Sequence, residues 1–249
     1  LAAPGCDGDR ELVGARARAA GVEAISAVGE TLEDARKNLD LAAQYPGLVH
    51  PCGGLHPERI DPKQAVTVEG LIRDERHRFI AIGEVGLDHW KVQEEKEREV
   101  QREIFARFLD LSVELDLPLN VHSRAAGQAT IELLLEGGAK RVQLHAFDGR
   151  AAKALPAVEA GYFFSVPPSV VRSTQKQKLV RRLPLGCLLV ETDSPVLGPT
   201  REERNEPANV KVSLDAICAL KDLSPEEVQE AMEDNTRRLY GNRMTARKP

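Results

Sequence analysis

Phe79-Ile80-Ala81-Ile82-Gly83-Glu84 runs apolar for five residues and then delivers a carboxylate. A strand buried on both faces reads as such a run, because neither side of it meets water. Glu84 therefore stands at the C-terminal end of a buried strand spanning residues 79–85. The same signature recurs on either side of it. His56 follows the run at residues 49–55, His122 follows 119–121, and His145 follows 141–144. Asp193 comes shortly after the run at 187–190, and further apolar runs occupy 22–28 and 162–166.

Helical patterns separate these runs. Thr31 is positioned to cap a helix that Tyr45-Pro46-Gly47 stops. Residues 93–116 carry Val100, Ile104, Phe108, Leu111 and Leu115 at spacings of three and four, one apolar stripe on a long solvated helix. Ser224-Pro225-Glu226-Glu227 is a capping box that opens the last helix. Strand and helix thus alternate from end to end with no linker or change of composition, so residues 1–249 read as one α/β domain. No Gly-x-Gly-x-x-Gly follows a strand, which argues against a dinucleotide-binding sheet. Five metal-competent side chains at five strand ends favour a (β/α)-barrel, in which all strand ends open onto one mouth.

A single histidine at a strand end is more often a hydrogen-bonded structural group than a ligand. Five such residues in register are not explained that way. Imidazoles and carboxylates suit borderline divalent ions, and a carboxylate can bridge two of them. Such a pair activates water and stabilises the leaving oxygen of a phosphodiester. Asp193 is then suited to hold the attacking water and accept its proton. Arg124, two residues past His122, offers a planar fork for phosphate oxygens. The remaining histidines read as bland: His50 as structural, His77 as solvated, His89 as an exposed loop imidazole. In the basic stretch from Arg172 to Lys178, Lys176 and Lys178 are expected on the water-facing side of an amphipathic helix, with steering of DNA the second reading.

Composition narrows the class. Hydrophobic residues make up 42% and aromatics 4% of the 249 residues, which suits Val- and Leu-rich parallel strands wrapped in helices. The formal net charge of -5 argues against coating nucleic acid by overall charge, and leaves open an enzyme with a local positive patch. Four scattered cysteines without a CxxC pair read as reduced thiols. With no membrane-length apolar run and no signal peptide, the expectation is a soluble cytoplasmic or nuclear protein.

Gly53-Gly54-Leu55-His56-Pro57, Ile82-Gly83-Glu84-Val85-Gly86-Leu87-Asp88, Val121-His122-Ser123-Arg124, Leu144-His145-Ala146-Phe147-Asp148-Gly149 and Glu191-Thr192-Asp193-Ser194-Pro195 together resemble the TatD family of metal-dependent deoxyribonucleases, in order and spacing across nearly the whole chain. Residues 161–183 and Arg204-Asn205-Glu206-Pro207 look most like the third animal branch of that family. The resemblance implies a TIM-like (β/α)8 barrel that hydrolyses DNA from a 3′ end with two divalent ions such as Mg2+, Mn2+ or Zn2+, and no organic cofactor. It implies that Glu84 bridges the ions, that His122 and His145 complete one site and Asp193 serves the other. Glu84 and Asp193 would be the catalytic groups, with His56 and Arg124 near the scissile phosphate. The family opens with Asp-x-His-x-His on its first strand, and this chain shows no such motif. Seven strand candidates are counted where the barrel has eight, so the first strand is expected upstream of Leu1. Two other readings remain: an amidohydrolase-type enzyme acting on a small amide or ester, disfavoured because no strand ends in Lys, and an inactive barrel that binds nucleic acid or protein.

Overall fold

The apolar runs form seven strands: β1 (Ile25–Ala27), β2 (Val49–Gly53), β3 (Ala81–Gly86), β4 (Leu119–His122), β5 (Val142–Leu144), β6 (Phe163–Val166) and β7 (Leu188–Val190). In the computed structural model, which describes residues 8–244, they make one sheet in sequence order, every neighbouring pair parallel. Parallel neighbours need crossovers. These are α2 (Leu32–Gln44), α3 (Pro62–Asp74), α4 (Glu95–Leu115), α5 (Gly127–Glu136), α6 (Ala151–Glu159) and α7 (Thr174–Arg182). Helix α1 (Arg10–Ala19) precedes β1, while α8 (Val210–Lys221) and α9 (Pro225–Tyr240) follow β7. Sequential order with a helix after each strand is the winding of a TIM-like barrel. The strand predicted upstream of Leu1 lies outside the described residues.

Helix ends follow the side chains that satisfy their free N–H groups. Thr31 Oγ1 accepts from Asp34 N at the start of α2. Both halves of the Ser224–Glu227 box form at α9, at 3.2 and 2.8 Å. Asp61 caps α3 by accepting from Lys63 N and Gln64 N.

Side chains alternate across each strand. One face of the sheet packs Ile82, Leu119, Val121, Leu144, Phe164 and Leu188 into the large core shared with the helices. The other face lines the interior, where Cys52, Ala81, Phe163 and Leu189 meet Leu239 and Tyr240 from the end of α9. Helix α9 thus closes the floor at the N-terminal side of the strands. Charged pairs clasp the two ends of the sheet: Arg16 forks onto Glu206 at 2.7 and 2.9 Å, and Arg204 pairs with Asp9. Cys52 and Cys187 are buried free thiols, and Cys218 is a half-buried one; Cys6 lies outside the described residues.

Candidate active site

The inward-facing register continues past the strand ends, and there the interior turns polar. Along β4 it runs Asn120, His122; along β5 Gln143, His145; past β7 Leu189, Glu191, Asp193. Glu84 reaches the same place from β3, where the pairing with β4 shifts register between Ile82 and Val85, and the chain just past β2 approaches this point closely. A Cβ on Gly54 would lie 2.6 Å from Gly83 C and 2.7 Å from Glu84 O, so no side chain fits there. Gly86 is held at φ +140, against the His122 carbonyl.

All five of the predicted strand-end residues, His56 among them, meet at this mouth. His122 Nδ1 lies 2.7 Å from Glu84 Oε1, while His56 Nε2 and His145 Nε2 each stand 3.7 Å from the same oxygen. His145 Nε2 is 3.5 Å from Asp193 Oδ1. His56 and His122 rings meet edge to face at 4.6 Å. Asp193 sits in a loop at φ 57. Asn205, buried, holds that loop by donating through Nδ2 to the carbonyls of Thr192 and Val196.

Two further carboxylates, not anticipated, orient the imidazoles. Asp88 Oδ2 lies 3.0 Å from His122 Nε2, and Glu191 Oε2 2.7 Å from His145 Nδ1. Each occupies one ring nitrogen and directs the other into the mouth. Glu191 is itself fixed, accepting from Ser165 Oγ at 2.7 Å and Ala146 N at 2.9 Å. Ser165 Oγ accepts in turn from Gln143 Nε2 at 2.8 Å, and Tyr240 donates its hydroxyl to Gln143 Oε1. A chain of hydrogen bonds therefore runs from the floor helix to His145.

The charges are strongly coupled. Burial alone would raise the Glu84 carboxyl, but His145, His122 and His56 outweigh it and hold it down at about 2. Burial opposes protonation of His122, yet Asp88 and Glu84 lift it to about 9. His145 is likewise raised against its burial by Glu191, Asp193 and Glu84. Burial raises Asp193 to about 6, with Glu84 and Glu191 adding to the effect and His145 opposing it. Four carboxylates around three imidazoles form a donor set whose chemistry suits a divalent cation. Donor atoms of His56, Glu84 and His122 lie within 4.8 Å of one another.

The structure revises two sequence expectations, for Lys176 and His89. Lys176 neither faces water nor lines an open groove: it is buried and donates through Nζ to Ala146 O at 2.8 Å. Burial lowers its pKa while Glu191, Asp148 and Asp193 oppose that. His89 is half-buried, not exposed, and its Nε2 has no partner among the described residues. Arg124 lies flat over the Trp90 ring, its Cζ 3.7 Å from the centroid. His50 is structural as expected, with Nε2 3.2 Å from Gly47 O, and His77 is exposed.

A parallel α/β sheet curled so that buried carboxylates and imidazoles from successive strands share one C-terminal mouth defines a metal-dependent hydrolase. The chain belongs to the TatD related DNase family, whose model matches residues 1–241. It is 45% identical to the human protein named deoxyribonuclease TATDN3, covering 96% of this chain and 92% of that one. It is 37% identical to a metal-dependent hydrolase TatD of Mycobacterium tuberculosis, over 91% of this chain and 89% of its relative. Among solved structures, the Escherichia coli TatD homologue YJJV superposes with a TM-score of 0.87 at 27% identity, covering 96% and 94% of the two chains. A TatD family hydrolase of Entamoeba histolytica, 21% identical with a TM-score of 0.83 over 94% and 89% of the chains, shares the fold.

Proposed function

We propose that this protein is a divalent-metal-dependent deoxyribonuclease that hydrolyses DNA phosphodiester bonds, removing nucleotides from a 3′ end. The observation that carries the reading is Glu84: a carboxylate with 6% exposure, ionised at every physiological pH, at the meeting point of His56, His122 and His145. Glu84, His122 and His145 would hold one ion, and Glu84 with Asp193 a second. A bound divalent ion supplies Lewis acidity, making water a competent nucleophile near neutrality and offsetting phosphate charge.

The side chains then divide the work. Asp88 and Glu191 keep the inward nitrogens of His122 and His145 aimed at the mouth. Asp193, its Oδ1 3.5 Å from His145 Nε2 at the mouth, is placed to take a proton from the attacking water and release it again. His56 Nδ1 accepts from Glu58 N, which leaves the hydrogen of the neutral ring on Nε2. That tautomer makes His56 a better donor to a phosphate oxygen than a metal ligand, although its position fits either role. Arg124, stacked by its face on Trp90, keeps its N–H edge for a second phosphate contact.

Single strands labelled at the 3′ or the 5′ end, incubated with Mg2+ or Mn2+ and with excess chelator, test the proposal. Release of the 3′ label first, stopped by chelator, is expected. Glu84→Ala should lower the rate at least ~10²-fold. Cleavage that survives full chelation would end the metal mechanism, and early release of the 5′ label would end the 3′ assignment.

A further inference from the structure

We infer that Trp90 is a stacking platform for an unpaired base of single-stranded DNA, set at the rim of the active-site mouth. Trp90 is the one tryptophan of the chain, in a protein poor in aromatics. It is 53% exposed, on the loop that follows β3, where it contributes little to the core. The Arg124 guanidinium covers part of the indole and the rest of its large aromatic surface faces water, a size of apolar surface that can serve a flat ligand.

The loop that carries it is tightly built. Asp88 is fully buried, and its Oδ1 accepts from Trp90 N at 2.9 Å and Lys91 N at 2.8 Å. Arg98 braces the same loop by donating to the carbonyls of Val92 and His89 at 2.9 and 3.1 Å. The indole is therefore presented on a fixed backbone, which lowers the ordering cost of binding.

Its connection to the reacting centre is short. The same Asp88 carboxylate that holds Trp90 N orients His122 through its other oxygen. His89 N donates to Arg124 O at 3.0 Å, which joins the tryptophan loop to the segment after β4. Cations gather on the ring: Arg124 Cζ at 3.7 Å and Lys91 Nζ at 5.2 Å from its centroid. An aromatic face with adjoining cations, in a protein of net charge -5, matches what a single strand offers, namely a π-faced base beside a phosphate. A base inside a duplex is already stacked, so the platform selects unpaired ends.

This inference rests on the nucleic-acid reading above, and it is read out separately. Because the chain holds one tryptophan, its emission reports Trp90 alone. The full chain is titrated in Mg2+ with a short phosphorothioate single strand, so that binding is observed without turnover. An abasic strand of equal length and charge and a blunt duplex are the comparisons. Quenching by the base-bearing strand, with neither comparison matching it, is expected. Trp90→Ala should weaken binding of that strand, followed by anisotropy of a labelled copy, roughly 5- to 150-fold. It should weaken the abasic strand far less, by no more than loosening Arg124 costs, and Trp90→Phe should recover part of the loss. Equal quenching by the abasic strand, or unchanged affinity in Trp90→Ala, would overturn the platform. Quenching without metal-dependent cleavage of an ordinary strand would support the platform and defeat the nuclease reading. Cleavage without quenching would do the reverse.

Discussion

Glu191 decides which nitrogen of His145 faces the mouth, through its 2.7 Å contact with Nδ1. An imidazole whose Nδ1–H is held by a carboxylate is locked in ring orientation and tautomer, and partners of this kind are typically worth 10–100-fold in metal affinity. Glu191→Gln keeps the volume and loses the charge that faces His145 Nδ1. It is expected to weaken metal binding by about 10- to 100-fold, measured by calorimetry on the purified protein, while affinity for a non-cleavable strand changes little. Unchanged metal affinity would show that Ser165 and Ala146 orient Glu191 to no catalytic end. Neither Glu191 nor Asp88 was assigned a role from sequence. Ligands announce themselves as polar residues at the ends of apolar strands, whereas residues acting through a ligand are visible only once the ligand's second nitrogen has a direction.

At the scale of the element, α7 shows where a helical pattern misleads. Its spacing marks Leu179, Val180 and Leu183 as buried, as they are, but assigns Lys176 to water. Helix α7 packs behind the strand end that carries His145, so Lys176 extends to the Ala146 carbonyl and its charge sits near Glu191 and Asp193. A buried hydrogen bond to a charged group is worth about 1.5–3 kcal/mol. Lys176→Ala should therefore lower stability to urea by about that amount, while Lys178→Ala, on the exposed face, should stay within about 0.5 kcal/mol of the parent. Equal urea midpoints for the two variants would return Lys176 to the surface. Neither variant should alter the salt dependence of DNA binding through a steering role for Lys176.

Across the whole molecule, the floor and the mouth are one structure. Tyr240 arrives from the far end of the chain, packs with Phe163 and Leu189 inside the sheet, and donates to the Gln143 side chain below His145. Truncating a buried aromatic typically costs about 3–5 kcal/mol, and losing one neutral hydrogen bond about 1 kcal/mol. Tyr240→Ala is expected to lower stability by about the former and Tyr240→Phe by about the latter, as read from urea unfolding. A wild-type midpoint for Tyr240→Ala would mean that α9 does not close the interior.

What the sequence determined by itself was everything carried by local period and local chemistry. Five of the seven strands lie within the predicted runs, while β3 and β4 extend one residue past theirs, to Gly86 and His122. The caps at Thr31 and Ser224 form as their residue types dictate. His122 ends β4, His145 directly follows β5, Asp193 comes shortly after β7, and Glu84 lies within β3 two residues short of its end. Only the tertiary structure decided the pairings: Glu191 with His145, Asp88 with both His122 and the Trp90 loop, Arg124 with an indole, and Lys176 with Ala146 O. The reason is physical. Strand and helix patterns arise between neighbours along the chain, where spacing is fixed by the backbone. A side chain's partner across the mouth depends on how far the sheet curls and how closely its strands approach, which no local spacing records.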